Sequence, residues 1–231
     1  MNGYVFQFGA VWTGFPLLLL GALHTVLFSS GALVAGLAAG IGLALMRGAH
    51  SVVPRLLSGA YIEVIRNTPL LVQLFIVFFG LPNLGVRLNP DQAAVLALVL
   101  NFSAYCAEIV RAGIEAVPHG QVEAALSLGM TRWQVLRHTV LLPAIEQVYP
   151  ALASQLTLLM LGSAVVSAIG ADELTSAANY VQSQTFRSFE VYLVTTGLYI
   201  ALTVLFRAGL GGVAQLAFPR RRVLGLAFVT R

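Results

Sequence analysis

The chain has 231 residues, of which 58% are hydrophobic and only 10% are charged, and its formal net charge is +4. Soluble domains carry about 25% charged residues, so this composition excludes an ordinary soluble domain and indicates a protein that crosses a membrane several times. The 13 Lys and Arg residues are all arginines, and the absence of lysine excludes a P-loop ATPase site and Schiff-base catalysis.

The chain begins with a long uncharged stretch. No Asp, Glu or Arg occurs before Arg47. We predict that residues 1–16 form an interfacial segment and not a cleaved signal peptide, because they are rich in aromatic residues and lack a basic n-region. The first membrane span is predicted at 17–46, where its excess length implies tilt or an extension past the headgroups.

Further apolar runs bring the prediction to five transmembrane helices in one all-α domain, since a span needs about 20 mostly apolar residues. The later spans are predicted at 56–80, 92–115, 143–168 and 191–214. We expect the second to begin as an interfacial turn and to bend at Pro69, whose ring removes a backbone donor. A basic tail, 215–231, follows the last span.

The arginines are distributed unevenly between alternate loops. If the N-terminus faces outside, only Arg87 and Arg187 lie outside, and the other 11 lie in inner loops and adjoining helix ends. Because positively charged loops stay in the cytoplasm, we predict an N-out, C-in orientation with residues 115–142 in the cytoplasm. The basic tail is interpreted as an anchor at anionic lipid headgroups and not as a nucleic-acid site.

The loop at 115–142 leads into the polar stretch EAALSLGMTRWQVLRHTVLLPAIE, residues 123–146. Pro118 is expected to end the preceding helix. Gly129 is expected to end a short helix after it, because glycine accepts the left-handed conformation at a helix end.

A second short helix is predicted after this glycine. Thr131 and Gln134 match a capping box at its start, and Pro143 is expected to close it. Apolar residues recur at helical spacing at Trp133, Leu136 and Val140. We predict a compact knob of helix, glycine turn and helix that fills a groove on a neighbouring protein.

Other chemistry is not indicated by the sequence. Cys106 stands alone within a span, which favours a packing role. The four histidines lack metal-ligand spacing, so no metal site is predicted, and no G-x-S-x-G elbow indicates a hydrolase.

Several polar residues lie at membrane depth, where an unpaired charge is unfavourable. Glu63 and Arg66 are one helical turn apart, as are Glu108 and Arg111, so each pair can neutralise itself. Two interpretations stay open, namely hydrogen bonds between helices and a path for a zwitterionic solute. The candidate path residues are Glu63, Arg66, Gln73, Asn101, Ser103, Glu108 and Ser163.

The run from Glu123 to Gly129, with Leu142-Pro143 downstream, resembles the EAA motif of the membrane subunits of binding-protein-dependent ABC importers. Other stretches are similar to the polar amino acid permease family, namely YIEVIRNTPLLVQLFIVFFGLP at 61–82, SAYCAEIVRAGIEAVPHGQVEAALSLGMT at 103–131 and IGADELT at 169–175. The resemblance covers most of the chain.

This resemblance implies a type I ABC importer transmembrane domain in a bacterial inner membrane, which passes a polar amino acid or a related small solute. The chain would bind no cofactor itself, because two copies of a separate ATPase subunit would use ATP and Mg. A second permease and a periplasmic solute-binding protein would complete the complex. The residues expected to couple to the ATPase are Glu123, Ala124, Ala125, Leu128, Gly129 and Thr131. Glu123 is expected to pair with Arg132 or Arg137.

One segment departs from the family. Its members commonly carry Lys-Asp-Thr-Ser where this chain has residues 161–164, Leu-Gly-Ser-Ala. Either a different partner permease supplies the charged half of the site in a heterodimer, which we favour, or the solute is not a plain polar amino acid.

The outer segment 171–190 is expected to contribute Asp172 and Glu173 to the landing site of the binding protein. An ATP-independent channel or carrier and an intramembrane enzyme are the alternative functions, and neither explains the knob.

Overall fold

The structure, a computed structural model, describes residues 5–217, and most of this range is helical. The first four residues of the expected interfacial segment and the arginines of the tail lie outside the described residues. The helices are α1 (Gly9–Arg47), α2 (Val52–Arg66), α3 (Leu70–Phe75), α4 (Pro90–Glu115), α5 (His119–Ser127), α6 (Arg132–Val135), α7 (Leu141–Gly162), α8 (Leu174–Thr185) and α9 (Ser188–Ala217). Two π-helical turns, Ile76–Gly80 and Leu136–Val140, and two 3₁₀ turns, Leu81–Leu84 and Ser163–Ile169, continue or join them.

Four stretches of the described chain are long and apolar enough to cross a membrane. They are Val11–Arg47, Pro90–Glu115, Pro143–Ile169 and Ser188–Gly212. These helices match four of the predicted spans. The remaining candidate is a broken pair, α2 and Leu70–Leu84, which is bent by 110° and counts as a span only if its two parts are taken together.

The break between α2 and α3 falls where the sequence predicts a bend. Pro69 precedes the first residue of α3, and the Gln73 side-chain amide donates to the carbonyl oxygen of Thr68 at 3.0 Å and to its hydroxyl oxygen at 2.8 Å. The first of these bonds satisfies the Thr68 carbonyl oxygen, which the break at the proline leaves outside the hydrogen bonds of a helix. The bend falls at the predicted proline, and whether α2 and Leu70–Leu84 together form the second span stays a prediction.

The first helix starts earlier than predicted, at Gly9 and not near residue 17. Val11 is completely buried in a cluster with Val191, and the backbone N–H of Gln7 donates to Glu190 Oε1 at 3.0 Å. This packing continues the helix through Pro16. Residues 9–16 therefore belong to the first helix, which corrects the expected separate interfacial segment over that range.

The described residues divide into two compact units. Unit 1 contains the residues up to Val34, Thr68–Val99 and Thr157–Phe206. Unit 2 contains Ala35–Asn67, Leu100–Leu156 and the residues from Arg207 on.

The core of unit 1 lies between α1, α8 and α9. Val11, Leu18 and Ala22 occupy one face of α1, at spacings of about two helical turns and one helical turn. They pack against four residues of α8 and one of α9, which are Leu174, Ala177, Ala178, Val181 and Val191. The apolar stripe of α1 thereby holds the short helix α8 in place.

Unit 2 has two small clusters. Ala44, Ile62 and Ala107 join α1, α2 and α4. The second cluster lies beneath the predicted knob and consists of Val117, Ala125, Val135, Val140 and Ala144.

Leu18→Ala tests the core of unit 1. Leu18 is completely buried, so its truncation leaves a cavity and should lower the free energy of unfolding by about 2 kcal/mol or more. Leu20→Ala removes the same atoms from a side chain that is 53% exposed and should have a much smaller effect. Thermal unfolding of the purified protein in detergent measures both, and equal losses would contradict this assignment of the core.

Candidate functional site

The first half of the knob is α5 and the turn that ends it. Gly129 has φ +78°, a left-handed conformation that glycine adopts without a Cβ clash. The N–H of Gly129 donates to the carbonyl oxygen of Leu126 at 2.9 Å, and the N–H of Met130 donates to that of Ala125 at 3.3 Å. This pair of bonds is a Schellman motif, which confirms the predicted glycine stop.

The second half opens with the predicted capping box. The N–H of Thr131 donates to Gln134 Oε1 at 2.8 Å, and the N–H of Gln134 donates to Thr131 Oγ1 at 3.4 Å. The helix does not end at Pro143, because the wider turn of Leu136–Val140 leads directly into α7. A π turn leaves room for the proline ring, so the knob is continuous with the next span.

The knob has a buried side and an exposed apolar side. Ala125, Val135 and Val140 are buried, and Met130 packs against them. Leu128 and Trp133 are 82% and 66% exposed. Sequence spacing placed Trp133 on one face with Leu136 and Val140, and this was wrong because the short helix turns the indole outward.

The charged residues of the knob remain on its surface. Glu123, Arg132 and Arg137 are all exposed, and no ion pair joins Glu123 to either arginine within residues 5–217. The hydrogen bonds of the glycine turn and the capping box, and not the expected ion pair, fix the shape of the knob. Of the six predicted coupling residues, Ala125 lies in the small core beneath the knob and the other five are exposed.

One of the two predicted membrane ion pairs is present. Arg111 pairs with Glu108, and its Nη1 also lies 2.6 Å from Glu115. Arg111 is therefore neutralised by two carboxylates on its own helix, one turn before it and one turn after it.

The predicted pair of Glu63 and Arg66 does not form. Glu63 Oε2 instead accepts from the Asn67 side chain at 3.1 Å. The Arg66 guanidinium lies 5.5 Å from the centre of the Tyr105 ring, a cation–π arrangement.

The other path candidates make hydrogen bonds inside the protein. The Ser103 hydroxyl is buried, donates to the Leu100 carbonyl oxygen at 2.9 Å and meets the Tyr61 hydroxyl at 2.9 Å. The buried Ser163 hydroxyl donates to the Met160 carbonyl oxygen at 2.7 Å. Asn101 is half-buried in α4. These contacts favour helix packing for Ser103 and Ser163, and the solute path stays a prediction.

Tyr61 is a site residue that sequence reasoning missed. Its hydroxyl donates to the Leu100 carbonyl oxygen at 2.8 Å and so joins α2 to α4 within unit 2. A phenol in a predicted span was the available signal, since a buried tyrosine hydroxyl needs a partner.

The two candidate landing residues have different environments. Asp172 is exposed, and its N–H donates to Asp91 Oδ1 at 3.2 Å. Glu173 is only 1% exposed. Its carboxylate cannot meet a docking protein in this conformation, which corrects the prediction for Glu173 and leaves that for Asp172 open.

The Glu173 carboxylate instead links three helices of unit 1. Its Oε1 accepts from the N–H of Ser176 at 2.8 Å and caps α8. Its Oε2 accepts from the Tyr199 hydroxyl at 2.9 Å, and Thr25 Oγ1 of α1 lies 3.5 Å away. Burial raises the pKa of Glu173 above its ordinary value of 4.5, although these hydrogen bonds oppose the rise.

This raised pKa predicts a pH dependence of stability. The folded protein holds the Glu173 proton more tightly than the unfolded chain does, so stability is greatest below pH 4.5 and falls as the pH rises through the raised pKa. Glu173→Gln should flatten this part of the thermal unfolding profile against pH. Asp172→Asn, at the exposed neighbouring position, should leave the profile unchanged, and a profile that Glu173→Gln does not alter would contradict the assignment.

Comparisons with known proteins agree with these features. Residues 32–215 match the family described as binding-protein-dependent transport system inner membrane component. The chain is 38% identical to a probable glutamine ABC transporter permease of Bacillus subtilis over 199 residues, which are 86% of this chain and 92% of the relative. It is 31% identical to the glutamine transport system permease of Escherichia coli over 202 residues, 87% of this chain and 92% of the relative.

Solved structures show the same fold. The crystal structure of an amino acid ABC transporter with histidines superposes with a TM-score of 0.83 at 39% identity and covers 90% of this chain and 97% of its own. An inward-facing methionine ABC transporter superposes with a TM-score of 0.67 at 20% identity, covers 92% of this chain and 99% of its own, and supports the fold alone.

Proposed function

The chain belongs to the family of binding-protein-dependent transport system inner membrane components, and we propose that it passes a polar amino acid through the membrane as the permease subunit of an ABC importer. The family match confirms the family that the EAALSLG stretch indicated. Amino acids are the proposed solutes because the two curated relatives are named for glutamine transport and the similar solved structure is an amino acid transporter.

The knob is the observation that supports this function most directly. It is a short helical unit with its own core, and Leu128 and Trp133 expose apolar surface without belonging to that core. Exposed apolar side chains on a rigid element suit a groove on a partner. We place an ATPase subunit on this surface, two copies serving the complex, with ATP and Mg bound there and not by this chain.

The mechanical role of the knob follows from its connections. Its second half continues into α7 as one helical stretch, from Arg132 to Gly162. Closure of the ATPase subunits on ATP would move the knob as a rigid body. Through this stretch the motion would reach the membrane helices, which open and close the solute path.

The arginines support the proposed orientation. Seven of the nine described arginines belong to unit 2, and Arg87 and Arg187 belong to unit 1. We therefore assign the surface of unit 2 to the cytoplasmic side of a bacterial inner membrane, with the N-terminus outside. On the periplasmic side, the exposed Asp172 is proposed as part of the landing site of the solute-binding protein.

A second permease completes the proposed complex, and a heterodimer is favoured. Residues 161–164 offer no ionic side chain to a zwitterion, and the hydroxyl of Ser163 is already donated to Met160. A partner with charged side chains at the corresponding positions would supply what this subunit lacks.

Leu128→Glu tests the docking surface. It places a charge on the most exposed apolar residue of the knob. Loss of a buried leucine contact should weaken association with the ATPase subunit on the order of tenfold or more, measured by co-purification and by binding of the separately purified ATPase. The rest of the knob keeps its core, because Leu128 lies outside it.

The matched control is Leu84→Glu, at a leucine of unit 1 that is 78% exposed and does not belong to the knob. It should retain the ATPase subunit. If Leu128→Glu binds the ATPase subunit and supports uptake as the wild type does, the knob is not part of the interface and the proposed coupling is wrong.

A further inference from the structure

A cavity of about 340 Å³ lies in unit 2 beside the last residue of α1, the first turn of α2 and the last turns of α4. It belongs neither to the knob surface that we assign to the ATPase subunit nor to the candidate solute path. Its lining residues are Arg47, Val52, Arg55, Leu56, Arg111 and Glu115. The combination of three guanidinium groups with aliphatic side chains is the first indication of what it binds.

The three arginines are not equally neutralised. Arg111 is engaged by two carboxylates, those of Glu108 and Glu115. Arg47 and Arg55 form no ion pair with any carboxylate in the part of the chain that the structure describes. Two guanidinium groups that no carboxylate binds directly therefore line the same cavity as the paired Arg111, an arrangement that an anion stabilises.

The position of Arg47 is fixed by α2. Its Nη1 donates to the carbonyl oxygen of Arg55 at 3.3 Å. Its guanidinium lies against Gly59, where an added Cβ would be only 2.0 Å from Nη1. A side chain at position 59 would displace Arg47, so the glycine keeps the guanidinium at the cavity.

The rim of the cavity is apolar and exposed. Val52 and Leu56 are 63% and 67% exposed, and the residues that follow each of them, Val53 and Leu57, are 65% and 61% exposed. In a chain that crosses a membrane, an amphipathic helix with arginine on one side and aliphatic residues on the other suits the boundary between headgroups and acyl chains.

We propose that this cavity binds an anionic phospholipid, with Arg47 and Arg55 holding the headgroup phosphate and Val52 and Leu56 lying against the acyl chains. Guanidinium groups match phosphate oxygens in geometry and charge. A free phosphate would satisfy the arginines but leave the aliphatic rim without a partner, and for this reason the lipid is the occupant. The inference rests on membrane embedding and not on the solute or the ATPase.

The test is a titration of the purified permease complex with dioleoylphosphatidylglycerol in detergent, read by native mass spectrometry as the lipid-bound fraction. Arg47→Gln and Arg55→Gln should each raise the Kd for this lipid about fivefold, the effect of one arginine near a phosphate. Arg87→Gln removes the same charge from an exposed site in unit 1 and should leave the Kd unchanged.

A second comparison separates geometry from charge. Gly59→Ala keeps every charge but places a methyl group where the Arg47 guanidinium lies, and it should weaken lipid binding as Arg47→Gln does. Gly42→Ala adds the same methyl in α1 at a position with nothing within 4 Å, and it should bind lipid normally.

Three results would overturn the proposal. Equal lipid affinity in the wild type, Arg47→Gln, Arg55→Gln and Gly59→Ala would remove the site, and equal loss in Arg87→Gln and Arg55→Gln would reduce it to general attraction by positive charge. Displacement of the lipid by inorganic phosphate at comparable concentration would assign the cavity to a free anion. Unchanged retention of the ATPase subunit by the cavity variants is expected, and it keeps this test separate from that of the coupling surface.

Discussion

The shape of the knob depends on one turn, which consists of the left-handed Gly129 and the hydrogen bonds on either side of it. The Schellman bonds close α5 and the Thr131 capping box opens α6, so hydrogen bonds define both ends of the turn. A loop of the same length without these bonds would transmit little force, because its backbone could relax. The turn instead presents Leu128 and Trp133 from a small core, and the core continues into a membrane helix.

In the rest of the described chain, charged side chains differ in whether they have a partner within the protein. In unit 2, Arg111 is satisfied by acids on its own helix, which leaves Arg47 and Arg55 for an anion from outside the chain. In unit 1, the buried carboxylate of Glu173 is satisfied by a helix N-terminus and a tyrosine hydroxyl. Arg111 and Glu173 thus find partners within the protein, whereas Arg47 and Arg55 are the groups that we propose bind another molecule.

Sequence reasoning succeeded where a local pattern decides the structure. Uninterrupted apolar length predicts five spans, of which four are single long helices in the structure, and glycine and capping-box chemistry predicts both ends of the turn in the knob. It failed where a tertiary neighbour decides. Spacing allowed Glu63 to reach Arg66, but Asn67 is the closer partner. Likewise, the sequence predicts that an acidic residue in a loop is exposed, and only the packing of α1, α8 and α9 shows that Glu173 is buried.

We propose that the ATPase subunit binds the knob on the cytoplasmic side of the membrane. Cys106 is buried, so Arg137→Cys, at an exposed position of the knob, provides a single reactive thiol. A membrane-impermeant maleimide should label this thiol in inside-out vesicles and not in intact spheroplasts. Labelling from the spheroplast exterior alone would invert the orientation and separate the knob from any cytoplasmic ATPase.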